Sequence, residues 1–320
     1  MGNSLNLQPL YSDKTIQEMN FAEFRQKIKP WMLPIAMLTG MLFHDSIHYL
    51  SFLSPFLIFT MLLVTFCRIK PEEFHIGRFV WILLAIQILG STAIYLAIAP
   101  FNTDIAQGAF ICVFCPTATA APVITGMLGG SITLLATYSL ISNISVALLA
   151  PMLFTLIGAH SDLSFFEAAI LISRRVFPLI LAPLALALLM KAWMPRVHSS
   201  LASRQSLSFY LWAAALIIVV GNAVSFVMHE PSDRIPEMLA IAAASLATCV
   251  MQFGVGRLVG KRYGDKISGA QGLGQKNTVL AIWMALTYLN PIASVGPAAY
   301  VAWQNTINSL QLYFKGRPRT

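Results

Sequence analysis

An all-α, polytopic membrane fold is predicted by three features of the sequence. Mean hydropathy is +0.70, and 57% of the 320 residues are apolar while only 11% are charged, against about 25% charged in soluble domains. Ten apolar runs divide the chain, most close to the ~20 residues that a bilayer requires. Two of these runs are interrupted by proline, glycine or polar residues, a mark of secondary transporters, in which half-helices line a cavity with freed backbone groups. Ten transmembrane helices in two inverted five-helix repeats follow, with broken, crossing helices 4 and 9.

In chain order the runs cover 31–44, 50–67, 79–99, 105–128 (broken), 131–158, 169–193, 207–227, 238–260, 267–289 (broken) and 292–314. Residues 1–30 are polar and mixed in charge, lack the apolar centre of a signal peptide, and are expected to lie at the cytoplasmic membrane surface. The first repeat takes 31–158, the second 159–314, and 315–320 form a cytoplasmic tail. Five runs per half make the halves enter the membrane from opposite sides, the geometry of an inverted repeat. A trace of duplication survives: Tyr138-x4-Asn143 and Tyr300-x4-Asn305 lie 162 residues apart.

The net charge of +8 is a matter of topology rather than of nucleic-acid binding. If the runs alternate across the membrane, seventeen of the 21 Lys and Arg residues fall on one side, from Lys14, Arg25, Lys27 and Lys29 to Lys315, Arg317 and Arg319. Basic residues mark the cytoplasmic side, so both termini are placed there, in a multi-pass protein of the inner or plasma membrane. Arg234 alone falls in an opposite loop, and Arg174, Arg175 and Lys276 lie within or beside runs.

Function is read from the polar residues inside the interruptions. Ala270 to Ala281, AQGLGQKNTVLA, carries Lys276 within an apolar segment. A charge near the bilayer centre costs on the order of 2.5 to 3.5 kcal/mol, which makes Lys276 a functional candidate; the bland alternative is snorkelling from an interface. The other interruption reads Cys115-Pro116-Thr117-Ala118-Thr119-Ala120-Ala121-Pro122. The second half-helices, starting near Thr117 and Asn277, should point positive partial charge at the crossing, and Lys276 adds a full charge. The thirteen acids all lie in termini, loops or run ends. An uncompensated positive site suits an anion. A carboxylate or sulfonate is expected on Lys276 and backbone N–H groups, oriented by Thr117, Thr119, Asn277 and Thr278. Asn143, Gln87, Gln271, Gln275, Gln304 and Asn305 are further candidates, although interhelical packing also satisfies buried amides.

Other chemistries find less support. Cys67, Cys112, Cys115 and Cys249 sit in apolar runs and imply no disulfide framework, and the six histidines lie at run ends or in loops without a third metal ligand. No cofactor or metal is expected. Cation/proton antiport needs an intramembrane carboxylate, which the runs lack. An intramembrane enzyme using Cys112, Cys115 or Lys276 as nucleophile has no neighbouring acid or base. A sensor with a transporter fold is a third reading.

From the second run onward the chain resembles the bile acid:sodium symporter (BASS) superfamily. Thr60-Met61-Leu62-Leu63 followed by Arg68-Ile69-Lys70-Pro71-Glu72-Glu73-Phe74 is similar to its F-G-M-G-L-x-L and K-P-x-D-F segments. Cys115 to Val123 is similar to C-P-G-G-x-A-S-N-V, Gly272 to Ala281 to E-V-G-M-Q-N-S-G-L-A, and Trp303 to Ile307 to W-H-N-I-S. The resemblance implies a core of helices 3–5 and 8–10, a panel of helices 1, 2, 6 and 7, and transport by alternating access. It also implies a sodium-coupling site around Gln87, Ala121, Pro122, Ser139, Gln271, Gln275 and Lys276, in degenerate form. The family's glutamate aligns with Gly272 or Gln271, its glutamine with Lys276, and its Ser-Asn pair with Ala121-Pro122. Two positive charges ~4 Å apart repel by about 4 kcal/mol at an effective dielectric of about 20, so Lys276 excludes Na⁺ from its position. The expected function is secondary transport of small organic anions without the usual two-sodium coupling. The alternative is a sodium-independent or proton-coupled efflux or exchange carrier for another solute, with Na⁺ or H⁺ as the coupling ion.

Overall fold

The computed structural model describes residues 32–67, 76–118, 121–158, 165–229 and 231–316. The segment expected over 1–30, Thr119, and the basic residues Lys14, Arg25, Lys27, Lys29, Arg68, Lys70, Arg317 and Arg319 lie outside them. The described residues are helical, with one isolated backbone bridge. Stretches long and apolar enough to cross a membrane are Tyr49–Phe66, Arg78–Ile98, Ile132–Ile157, Phe165–Trp193 and Ser232–Arg262, so this is an all-α protein of membrane-spanning character.

The first helices are α1 (Met32–Leu42) and α2 (Ser54–Phe66), joined by one α-turn and a 3₁₀ segment, His48–Leu53. Next come α3 (Arg78–Ile98), α4 (Thr103–Phe114), α5 (Ala121–Leu128) and α6 (Ile132–Ile157). They are followed by α7 (Phe165–Trp193), α8 (Pro195–Ser203), α9 (Gln205–His229) and α10 (Ile235–Arg262). The chain ends with α11 (Lys266–Gly274), α12 (Thr278–Tyr288), the 3₁₀ turn Pro291–Ser294 and α13 (Val295–Gly316). Both runs expected to be broken are broken, each into two helices: α4 and α5, α11 and α12. Helix α8 was not foreseen, because its sequence PRVHSSLAS is too polar for a span; Pro195 begins it, where the missing N–H costs no hydrogen bond.

Two packed groups arise. Helices α1, α2, α7 and α9 pack among themselves, and α3, α4 and α10 to α13 form a second group with α5 and α6; the groups meet where α6 packs on α7 and α12 on α9. In the second group the backbones of α10 and α11 nearly touch. A Cβ on Gly256 would lie 2.2 Å from the Gly269 oxygen, and one on Gly269 would lie 2.1 Å from the Gly256 oxygen. Small residues provide such close approach where lipid offers no hydrophobic drive between helices. Beside α4, Phe110, Phe114, Phe154 and Tyr288 form a ladder of ring contacts with centroids 5.1 to 5.8 Å apart from one ring to the next.

Polar contacts tie the helix ends together at two places. At one, Asp104 of α4 accepts from the Asn290 side chain (2.8 Å) and pairs with Arg234 (3.0 Å), which also pairs with Glu237 (3.1 Å). At the other, Asp265 caps α11 by accepting from Ser268 N–H (2.8 Å) and also accepts from Ser131 N–H (2.9 Å), the cap of α6. Gly129 (φ 90°) and Gly264 (φ 80°) bring Ser131 and Asp265 into place. Each closes a helix in the left-handed conformation, with Gly130 N–H on Thr125 O and Asp265 N–H on Gly260 O. The two ties are reciprocal: the start of each first half-helix is held to the turn that follows the other broken segment.

Candidate functional site

The two interruptions have different local causes. Helix α4 stops before Pro116, with Cys115 extended at φ −53°, ψ 143°, as a residue preceding proline prefers. Helix α11 stops without proline: Gln275 is extended, and Asn277 starts α12 by accepting from Leu280 N–H at 3.3 Å. The freed backbones then pair with each other. Thr117 and Lys276 form an antiparallel bridge, with Ala118 N–H on Gln275 O (2.9 Å) and Asn277 N–H on Pro116 O (2.8 Å). Buried backbone groups must find partners, and here each interruption supplies the other's.

The carbonyl end of α4 is closed by side chains from two other helices and from the facing interruption. Helix ends leave their last carbonyls without intrahelical partners. Gln252 of α10 donates to Cys112 O (3.2 Å), the Lys276 ammonium to Val113 O (2.8 Å), and Gln87 of α3 to Phe114 O (2.7 Å) and Cys115 O (3.1 Å). Lys276 is 1% exposed. Its charge lies at the negative end of the α4 dipole, the favourable end for a cation. Gln87 is fully engaged, since its oxygen also accepts from Tyr138 (2.7 Å) and Ser142 (2.8 Å) hydroxyls. A similar arrangement closes α11: Tyr300 donates to Gly274 O (2.8 Å) and accepts from Gln252 (2.9 Å), while Thr117 donates to Gly272 O (2.9 Å).

Among the expected substrate residues, Lys276, Asn277, Thr278 and Thr117 come together at the crossing, all buried. In one respect the geometry corrects the expectation. Lys276 was expected to add its charge to the positive ends of α5 and α12, whereas its amine is drawn onto the carbonyl end of α4. Asn143 and Asn305 each donate to the carbonyl four residues earlier, Ser139 O (2.7 Å) and Val301 O (2.6 Å), and Asn305 is only half-buried. Of the expected ion-site residues, Gln87 and Lys276 meet at the α4 end, and Ser139 reaches Thr117 O at 3.5 Å. Ala121 is buried at the start of α5 with Pro122 partly exposed beside it. Gln271 turns away to Asn308 (2.9 Å) and Gln311 (3.2 Å) of α13. Gln304 clamps the Lys276 peptide, accepting from its N–H (2.8 Å) and donating to its oxygen (3.3 Å).

The buried side-chain atoms that lack a partner among the described residues include, at and beside the crossing, Gln275 Oε1, Asn277 Nδ2, Thr278 Oγ1, Asn143 Oδ1, Gln252 Oε1 and Gln271 Oε1. Leaving such an atom unpaired costs about 1 to 3 kcal/mol, so these are the groups best placed to engage a ligand. Residues 275, 277 and 278 flank the ammonium in sequence, with Asn277 and Thr278 at the positive end of α12. Gln252 and Tyr300 were missed as capping residues. The only prior signal was the spacing shared by Tyr138 and Tyr300, read as a trace of duplication. No protein-family model matches the chain, and no curated protein matches it.

Proposed function

We propose that the chain is a secondary transporter of small organic anions, working by alternating access around the crossing of α4–α5 and α11–α12. The observation that carries this reading is the buried Lys276 ammonium held where two interrupted helices hydrogen-bond to each other. Half-helix ends meeting inside a helical membrane protein are suited to bind and release a solute, because small movements expose or cover their polar groups. An ammonium with no buried Asp or Glu among the described residues favours an anion. The carboxylate or sulfonate is held by Lys276, Asn277 Nδ2 and the Thr278 hydroxyl.

Ten spans in inverted repeats are supported by the pairing of Tyr138 with Gln87 of α3 and of Tyr300 with Gln252 of α10, each glutamine donating to a carbonyl at the end of α4. The packing groups support a panel of α1, α2, α7 and α9 beside a core of α3 to α6 and α10 to α13. Usual two-sodium coupling is not part of this reading, since Gln87 and Lys276 already occupy the carbonyls that a cation would need. The test is counterflow of labelled organic acids in proteoliposomes, in sodium and in choline, for the native chain and for Lys276→Gln. Exchange in both salts that the variant loses is the expected result. Native exchange strictly dependent on sodium, or an unaffected variant, overturns this reading of the lysine.

A further inference from the structure

Resting on the anion-carrier reading above, we infer that transport is electrogenic uniport: the anion crosses with no coupling cation, and an inside-negative membrane therefore makes the protein an exporter. The inference comes from what occupies the places where a coupling ion would sit. A coupling cation in a broken-helix transporter is held by carbonyls at half-helix ends and by intramembrane carboxylates. At the end of α4, Cys112, Val113, Phe114 and Cys115 carbonyls are taken by Gln252, Lys276 and Gln87. At the end of α11, Gly272 and Gly274 carbonyls are taken by Thr117 and Tyr300. These donors are all tethered to the chain, so an ion must displace them one by one against their effective concentration.

Carboxylates are no more available. Lys276 is the one charged residue that is buried among the described residues. Asp104 and Glu237 lie in the first turns of their helices and share Arg234, and Asp265 caps α11 through backbone N–H groups.

Charge balance then fixes the consequence. With its proton kept throughout, Lys276 travels with the protein and returns with it, so over a full cycle its charge contributes nothing; a proton taken up and released with the anion would instead be proton symport. If the loaded step moves a neutral ammonium–anion pair, the empty return moves the positive charge back; either way one negative charge crosses per turnover. A monovalent anion consequently distributes toward the positive side, with a limiting ratio of roughly fiftyfold at about 100 mV.

The experiment uses the full chain in proteoliposomes buffered at one pH on both sides, in choline without sodium, with potential set by a potassium gradient and valinomycin. The probes are labelled taurocholate, naphthalene-2-sulfonate and pyroglutamate. The expected result is redistribution of at least one probe toward the positive side, reversing when the potassium gradient is reversed and absent from protein-free vesicles. Flux that appears only with a sodium or pH gradient, or that ignores the potential, overturns uniport while leaving anion transport in place. No movement of any probe under any gradient, with the protein folded by its melting curve, overturns the anion reading together with this inference.

Discussion

Thr117 and Lys276 face each other across a single antiparallel bridge, and each side chain then caps the first half-helix of the opposite segment: Thr117 on Gly272 O of α11, Lys276 on Val113 O of α4. The reciprocity makes the crossing one unit, in which neither interruption can shift without breaking bonds to the other. It also separates what these two residues contribute.

Thr117 supplies a neutral hydrogen bond, whereas Lys276 brings a charge whose desolvation costs several kcal/mol. Thr117→Val should therefore lower stability by about 1 kcal/mol, leaving Gly272 O unpaired. Lys276→Met keeps the apolar stem, relieves the buried charge, and should raise the melting temperature in detergent while reducing anion uptake at least tenfold, one tenfold step being about 1.4 kcal/mol of binding. A lower melting temperature for Lys276→Met would make the ammonium a structural element rather than a functional one.

Gln87 is the acceptor for two hydroxyls and the donor to two carbonyls, so its chemistry cannot be inverted cheaply. Tyr138→Phe and Ser142→Ala should each cost about 0.5 to 1.5 kcal/mol, and the pair should be non-additive because both bond the same oxygen. Gln87→Glu sets a carboxylate against the Phe114 and Cys115 carbonyls and should cost about 3 kcal/mol or more as an uncompensated buried charge. Thermal unfolding of the four variants in one detergent checks this; a Gln87→Glu chain as stable as Tyr138→Phe contradicts the network.

The near-contact of α10 and α11 makes a steric prediction with an internal control. A Cβ on Gly269 meets the Gly256 oxygen at 2.1 Å, while one on Gly254, on the same α10, meets nothing within 4 Å. Gly269→Ala should cost about 1 to 3 kcal/mol, as overpacking does, and Gly254→Ala should be neutral or stabilise by up to about 1 kcal/mol. Equal melting temperatures for the two variants would show that α10 and α11 stand further apart.

How much of this was legible before the structure depends on range. Pro116 and the polar run around Lys276 announce the two interruptions, because local chemistry ends each helix. The sequence also singles out Lys276, since a charge in an apolar run is costly, but it leaves snorkelling from an interface open, and it is the structure that buries the side chain. Which carbonyl its amine meets does not follow, because Val113 lies on another segment and is brought near only by the Thr117 bridge. Gln252 reads as an ordinary polar residue in a long apolar helix until Cys112 and Tyr300 are placed beside it. Asp104 and Asp265 read as loop acids for the same reason: their partners, Asn290 and Ser131, are remote in the chain.

Asp265 gives that remote tie a pH signature. Burial raises its carboxyl, but hydrogen bonds from the Ser268 hydroxyl and from Ser268, Ser131 and Ile267 N–H groups outweigh burial and hold it below the usual carboxylate range. A folded value below the unfolded one, about 3.9, means stability that is present above the unfolded value and lost as pH falls through the folded one. Asp265→Asn keeps a side chain able to cap α11 but cannot titrate. The difference in melting temperature between the native chain and the variant should be constant from pH 7 to about pH 5 and shrink below about pH 4. The other acids are common to both proteins and cancel in that difference. A difference that holds unchanged down to pH 3, or that vanishes already near neutrality, would mean that the carboxylate does not tie α11 to the cap of α6.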